Sequence, residues 1–375
     1  MTSATDRLVI PAELLPGDGR FGSGPSKLPN SDLHAFTEQA GAVLGTSHRQ
    51  QPVRSLVGRI RSGLGTLFEL PDGYQVVLGN GGSTAFWDAA AFGLIRRRSQ
   101  HVQIGEFSAK FAAVARDAPF LAEPSIRRAE PGSGILPRFE ADIDVYAWPQ
   151  NETSTGVMLP VARVANADDA LHLVDATSAA AGIGVDVAAT DAYYFAPQKG
   201  FAGEGGLWLA LLSPAALDRV AELAGRWRPP SLDLTIAIDN SAKDQTYNTP
   251  AIGTLWLLAH RIERLLADGG LPASTARCAE SASRLYRWAQ ASDYAQPFVA
   301  EARFRSPVVA TIDFDATVDA AALSAALRAN GIVDTEPYRA LARNQLRIGM
   351  YPAVDPDDVS ALTACIDWLV PRLVH

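Results

Sequence analysis

Residues 191–212 read DAYYFAPQKGFAGEGGLWLALL, two apolar runs rich in aromatic and aliphatic residues on either side of a glycine loop, with one lysine, Lys199, at the join. Bounded by proline and glycine, the two runs read as strands joined by a loop. A surface lysine needs no explanation. One at the end of an apolar strand, followed by Gly200, Gly203, Gly205 and Gly206, is placed for a partly dry cleft. There its charged form is disfavoured, its pKa falls, and it becomes a nucleophile toward a carbonyl. Taken alone, the same Lys-Gly pair also reads as the turn after an edge strand, so the rest of the chain must decide.

Outward from this stretch, short β-rich runs alternate with helical ones between about Gly73 and Leu212. GYQVVLG, HVQIGEF, DVYAWPQ and LHLVDATS read as further strands, and TAFWDAAAFGLIRRR and SAKFAAVARD as helices. The alternation predicts an α/β unit with a mostly parallel sheet and its ligands at the carboxyl ends of the strands. Past a proline-rich, polar stretch, RWRPPSLDLTIAIDNSAKDQTYNTP, a long helix is expected, with Thr249 as N-cap, Pro250 in its first position and Gly269-Gly270 as its stop. Beyond it, STARCAESASRLYRWAQ and DAAALSAALRANG read as helices and SPVVATIDF and QLRIGMY as strands. A closing helix enters through Asp355-Pro356, which completes a smaller α+β unit. The expected division is residues 1–270 and 271–375.

Composition narrows the function. A chain of 375 residues with 47% hydrophobic and 20% charged residues has the profile of an enzyme-sized globular protein. Its formal net charge is −8 and its one basic run, Arg96-Arg97-Arg98, reads as the last turn of a helix, so nucleic acid is not the expected partner. Cys278 and Cys365 lie far apart in helical patterns, forming neither a disulfide framework nor a metal cluster, which fits a reducing cytoplasm. MTSATDRLVIPAELLPGDGRF has no leader pattern, and no membrane-length apolar run occurs.

The chemistry gathers at three places. In LGNGGSTAFWDAA, Gly82 follows a strand and Ser83 and Thr84 open a helix, which reads as a phosphate cup or as a tight strand-to-helix turn. No acidic residue follows about twenty positions on, as a dinucleotide site requires. Asp175 ends the apolar run LHLVD, and Lys199 of YYFAPQK ends the next strand-like run. An aspartate and a lysine at neighbouring strand ends beside a phosphate cup are what pyridoxal phosphate needs: the lysine for a Schiff base, the aspartate to keep the ring nitrogen protonated.

With these residues in place, the chain resembles the phosphoserine aminotransferases, class V aminotransferases of PLP fold type I. The likeness runs through FGSGPSKLP, TSHRQ, GNGGSTAFWDAA, WPQNETSTG, LVDATSAAAG, APQKGFAGEGG, YNTP and LRIGMYPA. It implies a mostly parallel seven-stranded large-domain sheet, pyridoxal 5'-phosphate as cofactor, and Lys199 as the Schiff-base lysine with Gln198 reaching the phosphate. Gly82, Ser83 and Thr84 match the phosphate loop, and Asp175 the partner of the pyridine nitrogen. Thr153 matches the threonine on the ring hydroxyl, and Phe107 stands where the stacking ring sits. Asn248 and Thr249 resemble the pair that crosses a homodimer interface to the other subunit's phosphate. His48 and Arg49 match the pair for the distal phosphate or carboxylate, Arg347 the α-carboxylate arginine, and Ser23 is a further substrate contact. The resemblance implies ping-pong transamination between L-glutamate and 3-phosphohydroxypyruvate.

The chain departs from the family in reading YRALARNQLR where many relatives have a His-Arg pair, which leaves Arg339 and Arg343 as alternatives for the missing charge. Three other readings stand beside it: a small-substrate aminotransferase of the alanine–glyoxylate or serine–pyruvate type, a cysteine desulfurase, and a cofactor-sensing regulator. The helical setting of the cysteines speaks against the second, and the lack of a DNA-binding module against the third. Whether a phosphorylated hydroxythreonine precursor of vitamin B6 is also made is left open.

Overall fold

In the computed structural model, which describes residues 8–373, the alternating stretch folds into one seven-stranded sheet. The first seven residues of the stretch read for a leader lie outside the described residues. The sheet comprises β1 (Gln75–Asn80), β2 (Ser99–Gln103), β3 (Ser125–Arg128), β4 (Val145–Pro149), β7 (Leu171–Asp175), β8 (Ala192–Phe195) and β9 (Leu207–Leu212). Between β4 and β7, β5 (Asn151–Glu152) and β6 (Val157–Met158) pair as a short hairpin. The spatial order is β1-β9-β8-β7-β4-β2-β3, and β9 alone runs against its neighbours. The carboxyl ends of β4, β7 and β8 therefore share one edge, with Pro149 opposite Asp175 and Asp175 opposite Tyr194.

Both faces of the sheet are buried, as a parallel sheet requires. Tyr193, Phe195, Leu207, Leu209 and Leu211 join one core with α2 (Gln51–Leu67) and α7 (Ile252–Ala267). Tyr194, Trp208, Ala210 and Leu212 point the other way, toward α3 (Gly82–Gly93), α4 (Glu106–Asp117), α5 (Pro214–Glu222) and α6 (Leu234–Ser241). This period-two division between two buried faces is why residues 192–195 and 207–212 are apolar throughout. The remaining helix of this part, α1 (Asn30–Gln39), lies against α7, where Asp32 accepts from Arg261 at 2.8 Å.

Farther on, β10 (Ala295–Pro297), β11 (Val309–Phe314) and β12 (Gln345–Gly349) form an antiparallel sheet covered by α8 (Gly270–Ala291), α9 (Ala320–Ala329) and α10 (Pro356–Leu373). Ile10 and Phe21 from the start of the chain pack into this second core. Asp319 caps α9 by accepting from the N–H groups of Ala321 and Ala322, a contact worth about 1 kcal/mol.

Several local expectations are corrected. Arg96–Arg98 do not end a helix: α3 stops at Gly93, and the backbone N–H groups of the three arginines converge on the Asp144 carboxylate at 2.7–2.8 Å. A carboxylate that collects three consecutive N–H groups removes the donors a further helical turn would need. HVQIGEF is a strand only to Gln103, because its Glu106-Phe107 opens α4. Thr249 does not cap α7, which begins at Ile252 after Ala251; its hydroxyl faces His48 instead. The proline-rich, polar stretch before α7 contains α6, capped by Asp233. No helix among the described residues is long and apolar enough to cross a membrane.

Candidate active site

The shared edge of β4, β7 and β8 meets the N-terminus of α3 at a cavity of about 230 Å³. Gly82, Ser83, Thr84, Phe107, Thr153, Asp175, Gln198 and Lys199 all line it, as do Trp87, Asn151, Thr177 and Ser178. Gly81 turns the chain into α3 with φ 112°, and a Cβ there would stand 2.7 Å from that of Ala85. The turn leaves the first N–H groups of a twelve-residue helix facing the cavity, a positive end suited to a phosphate.

β8 ends at Phe195, so Lys199 occupies the turn beyond the strand rather than its last position. Its side chain is buried, and Nζ donates to the Ser23 carbonyl at 2.8 Å. A Cβ on Gly24 would stand 2.1 Å from that nitrogen and displace the amine, and one on Gly200 would meet the Ala180 carbonyl at 2.0 Å, a backbone clash that only glycine avoids. Burial, reinforced by the Arg347 guanidinium and opposed by Asp175 and Glu152, brings the Lys199 pKa down from 10.5 to about 8. This is the dry-cleft lysine expected from the sequence.

Asp175 lines the cavity from the end of β7. Its Oδ1 accepts from the Thr177 N–H at 2.9 Å and its Oδ2 from Trp87 Nε1 at 3.1 Å. Burial raises its pKa, and these donors work against that rise. Glu152, which the sequence reading passed over, has the clearest supporting role. Its carboxylate accepts from the N–H of Phe107 at 3.4 Å and of Ser108 at 2.9 Å, and from the hydroxyls of Ser108 and Ser154 at 2.8 and 2.7 Å. It thus caps α4 and fixes Phe107, whose ring centroid lies 5.9 Å from Lys199 Nζ. The signal was present as an acidic residue inside NET, but nothing local revealed which helix it caps.

A second cavity of about 590 Å³ opens beside the first, lined by Ser23, Asp334, Glu336, Tyr338, Arg339 and Arg347 among others. Arg347 Nη1 donates to the Thr153 carbonyl at 3.3 Å, its Cζ stands 5.3 Å from the Tyr338 ring centroid, and burial lowers its pKa. Of the two arginines left as alternatives, Arg339 lines this mouth. Arg343 is held elsewhere, bonded to Asp313 at 2.5 Å and lying over Phe298.

His48, Arg49, Asn248 and Thr249 line neither cavity. They form a cluster of their own: Thr249 Oγ1 lies 3.2 Å from His48 Nδ1, Asn248 bonds Asn80, and Arg49 Nη1 donates to Gln245 Oε1 at 2.9 Å. Arg49, Asn248 and Thr249 are exposed.

Gln198 Oε1 and Asn151 Oδ1 at the first cavity, and Ser23 Oγ and Arg347 Nε at the second, are buried without a hydrogen-bond partner. Such atoms cost about 1–3 kcal/mol each unless a ligand meets them. A helix N-terminus for phosphate, a carboxylate for a ring nitrogen, an aromatic ring at the wall and a depressed-pKa lysine together fit pyridoxal phosphate. Cys278 and Cys365 are buried in α8 and α10, and burial pushes their thiols up to about 12 and about 11, unsuited to accepting sulfur.

Residues 134–362 match the family model described as aminotransferase class V. The chain is 59% identical over 371 residues to the phosphoserine aminotransferase of Rhodococcus opacus, covering 98% of this chain and 100% of that protein. Among solved structures it is similar to a phosphoserine aminotransferase from Cytophaga hutchinsonii, with TM-score 0.83, 22% identity and coverage of 94% and 99% of the two chains. It is also similar to ureidoglycine–glyoxylate aminotransferase from Bacillus subtilis, with TM-score 0.81, 19% identity and coverage of 98% and 95%. Two neighbours with different names share this fold, so fold alone does not select the acceptor.

Proposed function

The chain belongs to the class V aminotransferases, and from that premise we infer that it is a phosphoserine aminotransferase, moving the amino group of L-glutamate to 3-phosphohydroxypyruvate to give O-phospho-L-serine and 2-oxoglutarate. The observation that carries this is the end-to-end relationship to a phosphoserine aminotransferase, at 59% identity with 98% of this chain aligned.

Pyridoxal phosphate, when bound, supplies an aldehyde that takes and returns the amino group and a ring that accepts electrons from the reacting carbon. In our assignment the N–H groups at the start of α3, with Ser83, Thr84 and Gln198, hold its phosphate. Thr153 and Asp175 fix the ring at its hydroxyl and nitrogen, and Phe107 covers a face. Lys199 Nζ is the nucleophile and then the group that moves the substrate's α-proton. An amine with pKa about 8 has a usable neutral fraction near neutral pH, which an ordinary lysine lacks. Arg347, desolvated and with Nε unpaired, grips the α-carboxylate, while Ser23 and Arg339 line the entrance. Burial of Lys199 keeps water from competing for the amine.

The separation of His48, Arg49, Asn248 and Thr249 from both cavities supports a homodimer in which this exposed cluster completes the site of the other subunit. We also assign residues 1–270 as the cofactor-binding unit and 271–375 as the smaller one, a division supported by their separate sheets, although the N-terminal segment packs Ile10 and Phe21 into the smaller unit's core. A cytoplasmic location is proposed on the two unpaired cysteines.

The test is the visible spectrum of the holoenzyme. Glutamate should bleach the yellow colour, and 3-phosphohydroxypyruvate should restore it where pyruvate and glyoxylate do not. Recovery with pyruvate or glyoxylate alone would overturn the acceptor and favour the small-substrate reading.

A further inference from the structure

Helix α3 carries more than the phosphate loop. Ser83 and Trp87 lie one turn apart on it, so both side chains face the carboxyl end of β7. Ser83 Oγ accepts from Thr177 Oγ1 at 2.7 Å, and Trp87 Nε1 donates to Asp175 Oδ2 at 3.1 Å. One helix thus grips the Asp175–Thr177 turn twice.

The orientation of the indole is fixed. Trp87 is 4% exposed, and its ring stacks on Phe111 with centroids 6.1 Å apart and planes 14° from parallel. Phe111 in turn packs edge-on against Tyr194, so the indole cannot swing without displacing this aromatic group. An indole N–H and a backbone N–H are both donors that never accept. Each Asp175 oxygen thus already accepts an N–H, a pair of contacts that is stronger to the ionised carboxylate than to the protonated acid. Both contacts select the acceptor-only carboxylate, the form needed to pair with a protonated ring nitrogen.

On the assignment of Asp175 made above, we propose that Trp87 is a positioning residue: its indole N–H aims the Asp175 carboxylate and keeps it acceptor-only, tying the ring-nitrogen contact to the same helix that binds the phosphate. The role belongs to the N–H, while the bulk of the ring serves packing.

The experiment compares two probes on the apo protein: pyridoxal phosphate, and its analogue with carbon in place of the ring nitrogen. Both keep the aldehyde and the phosphate, so their difference isolates the nitrogen contact. Trp87→Phe should bind pyridoxal phosphate roughly tenfold more weakly than wild type, the effect of losing one hydrogen bond to a charged group, and bind the carbon analogue as wild type does. Equal losses for both probes, or no loss, would overturn the proposal. If Trp87→Phe does not fold, 3-benzothienylalanine at position 87, with sulfur replacing the N–H in the same shape, is held to the same pair of results. Asp175→Asn is the control. If it shows the nitrogen-dependent loss and the Trp87 variant does not, the role of Trp87 alone falls; if Asp175→Asn shows none, the Asp175 assignment falls and the proposal with it.

Discussion

Lys199 makes the most direct quantitative prediction, because its environment sets how much neutral amine exists at a given pH. With a pKa of about 8 rather than the ordinary 10.5, roughly one amine in ten is neutral at pH 7, against about one in three thousand for a solvated lysine. Covalent capture of pyridoxal phosphate by the apo protein needs that neutral form, so at pH 7 it should be about 300-fold faster than capture by an unperturbed lysine. The sign follows from a depressed pKa: below about 8 the amine is protonated and the rate rises tenfold per pH unit, and above about 8 it levels off. Burial is the larger cause and Arg347 the next, so Arg347→Leu should move the half-point upward and slow capture at pH 7, while Arg347→Lys should hold it nearer the wild-type position. Stopped-flow absorbance of apo protein mixed with the cofactor across pH 6–10 measures all three. A wild-type rate still climbing tenfold per unit through pH 9 would refute the burial argument.

Two further predictions concern the residues that the fold sorted. Arg49→Ala and Lys199→Ala chains, each nearly inactive alone, should recover about a quarter of wild-type activity when mixed as exchanging subunits, since half of random dimers are mixed and each has one intact site; activity no greater than the sum of the two variants would show that Arg49 does not act across the interface. Arg339→Ala should raise the KM for 3-phosphohydroxypyruvate about tenfold with little change in Tm, whereas Arg343→Ala should cost about 1 kcal/mol of stability by freeing Asp313 and leave KM unchanged. Steady-state kinetics beside thermal melts decide it, and the reverse pattern would exchange the two roles.

Much of the architecture was legible because its signals are local. The strand residues 192–195 and 207–212 face two cores in alternation, so each of those positions is apolar, and the glycine next to Lys199, Gly200, is one whose Cβ would collide with the Ala180 carbonyl. What was misread depended on distant partners. Arg96–Arg98 carry a good helix-ending composition, but Asp144, far along the chain, takes their N–H groups. Thr249 precedes a proline and a long helix as an N-cap should, yet its hydroxyl faces His48 from the other end of the sequence. Glu152 is an ordinary acidic residue until β5 sets it under the first turn of α4.

By itself the sequence determined the α/β class, an aspartate at one strand end and a lysine just past the next, the glycine turn into α3 and, through the order of its motifs, the family resemblance. These are set by periodicity, backbone freedom and side-chain chemistry, which act over a few residues. Only the tertiary structure decided which groups meet: that Ser23 offers its carbonyl to Lys199, that Arg339 and not Arg343 lines the second cavity, and that Trp87 reaches Asp175 from α3. The physical reason is that hydrogen bonds and desolvation depend on distances of about 3 Å between residues that can lie more than a hundred positions apart, and strand order and helix docking fix those distances.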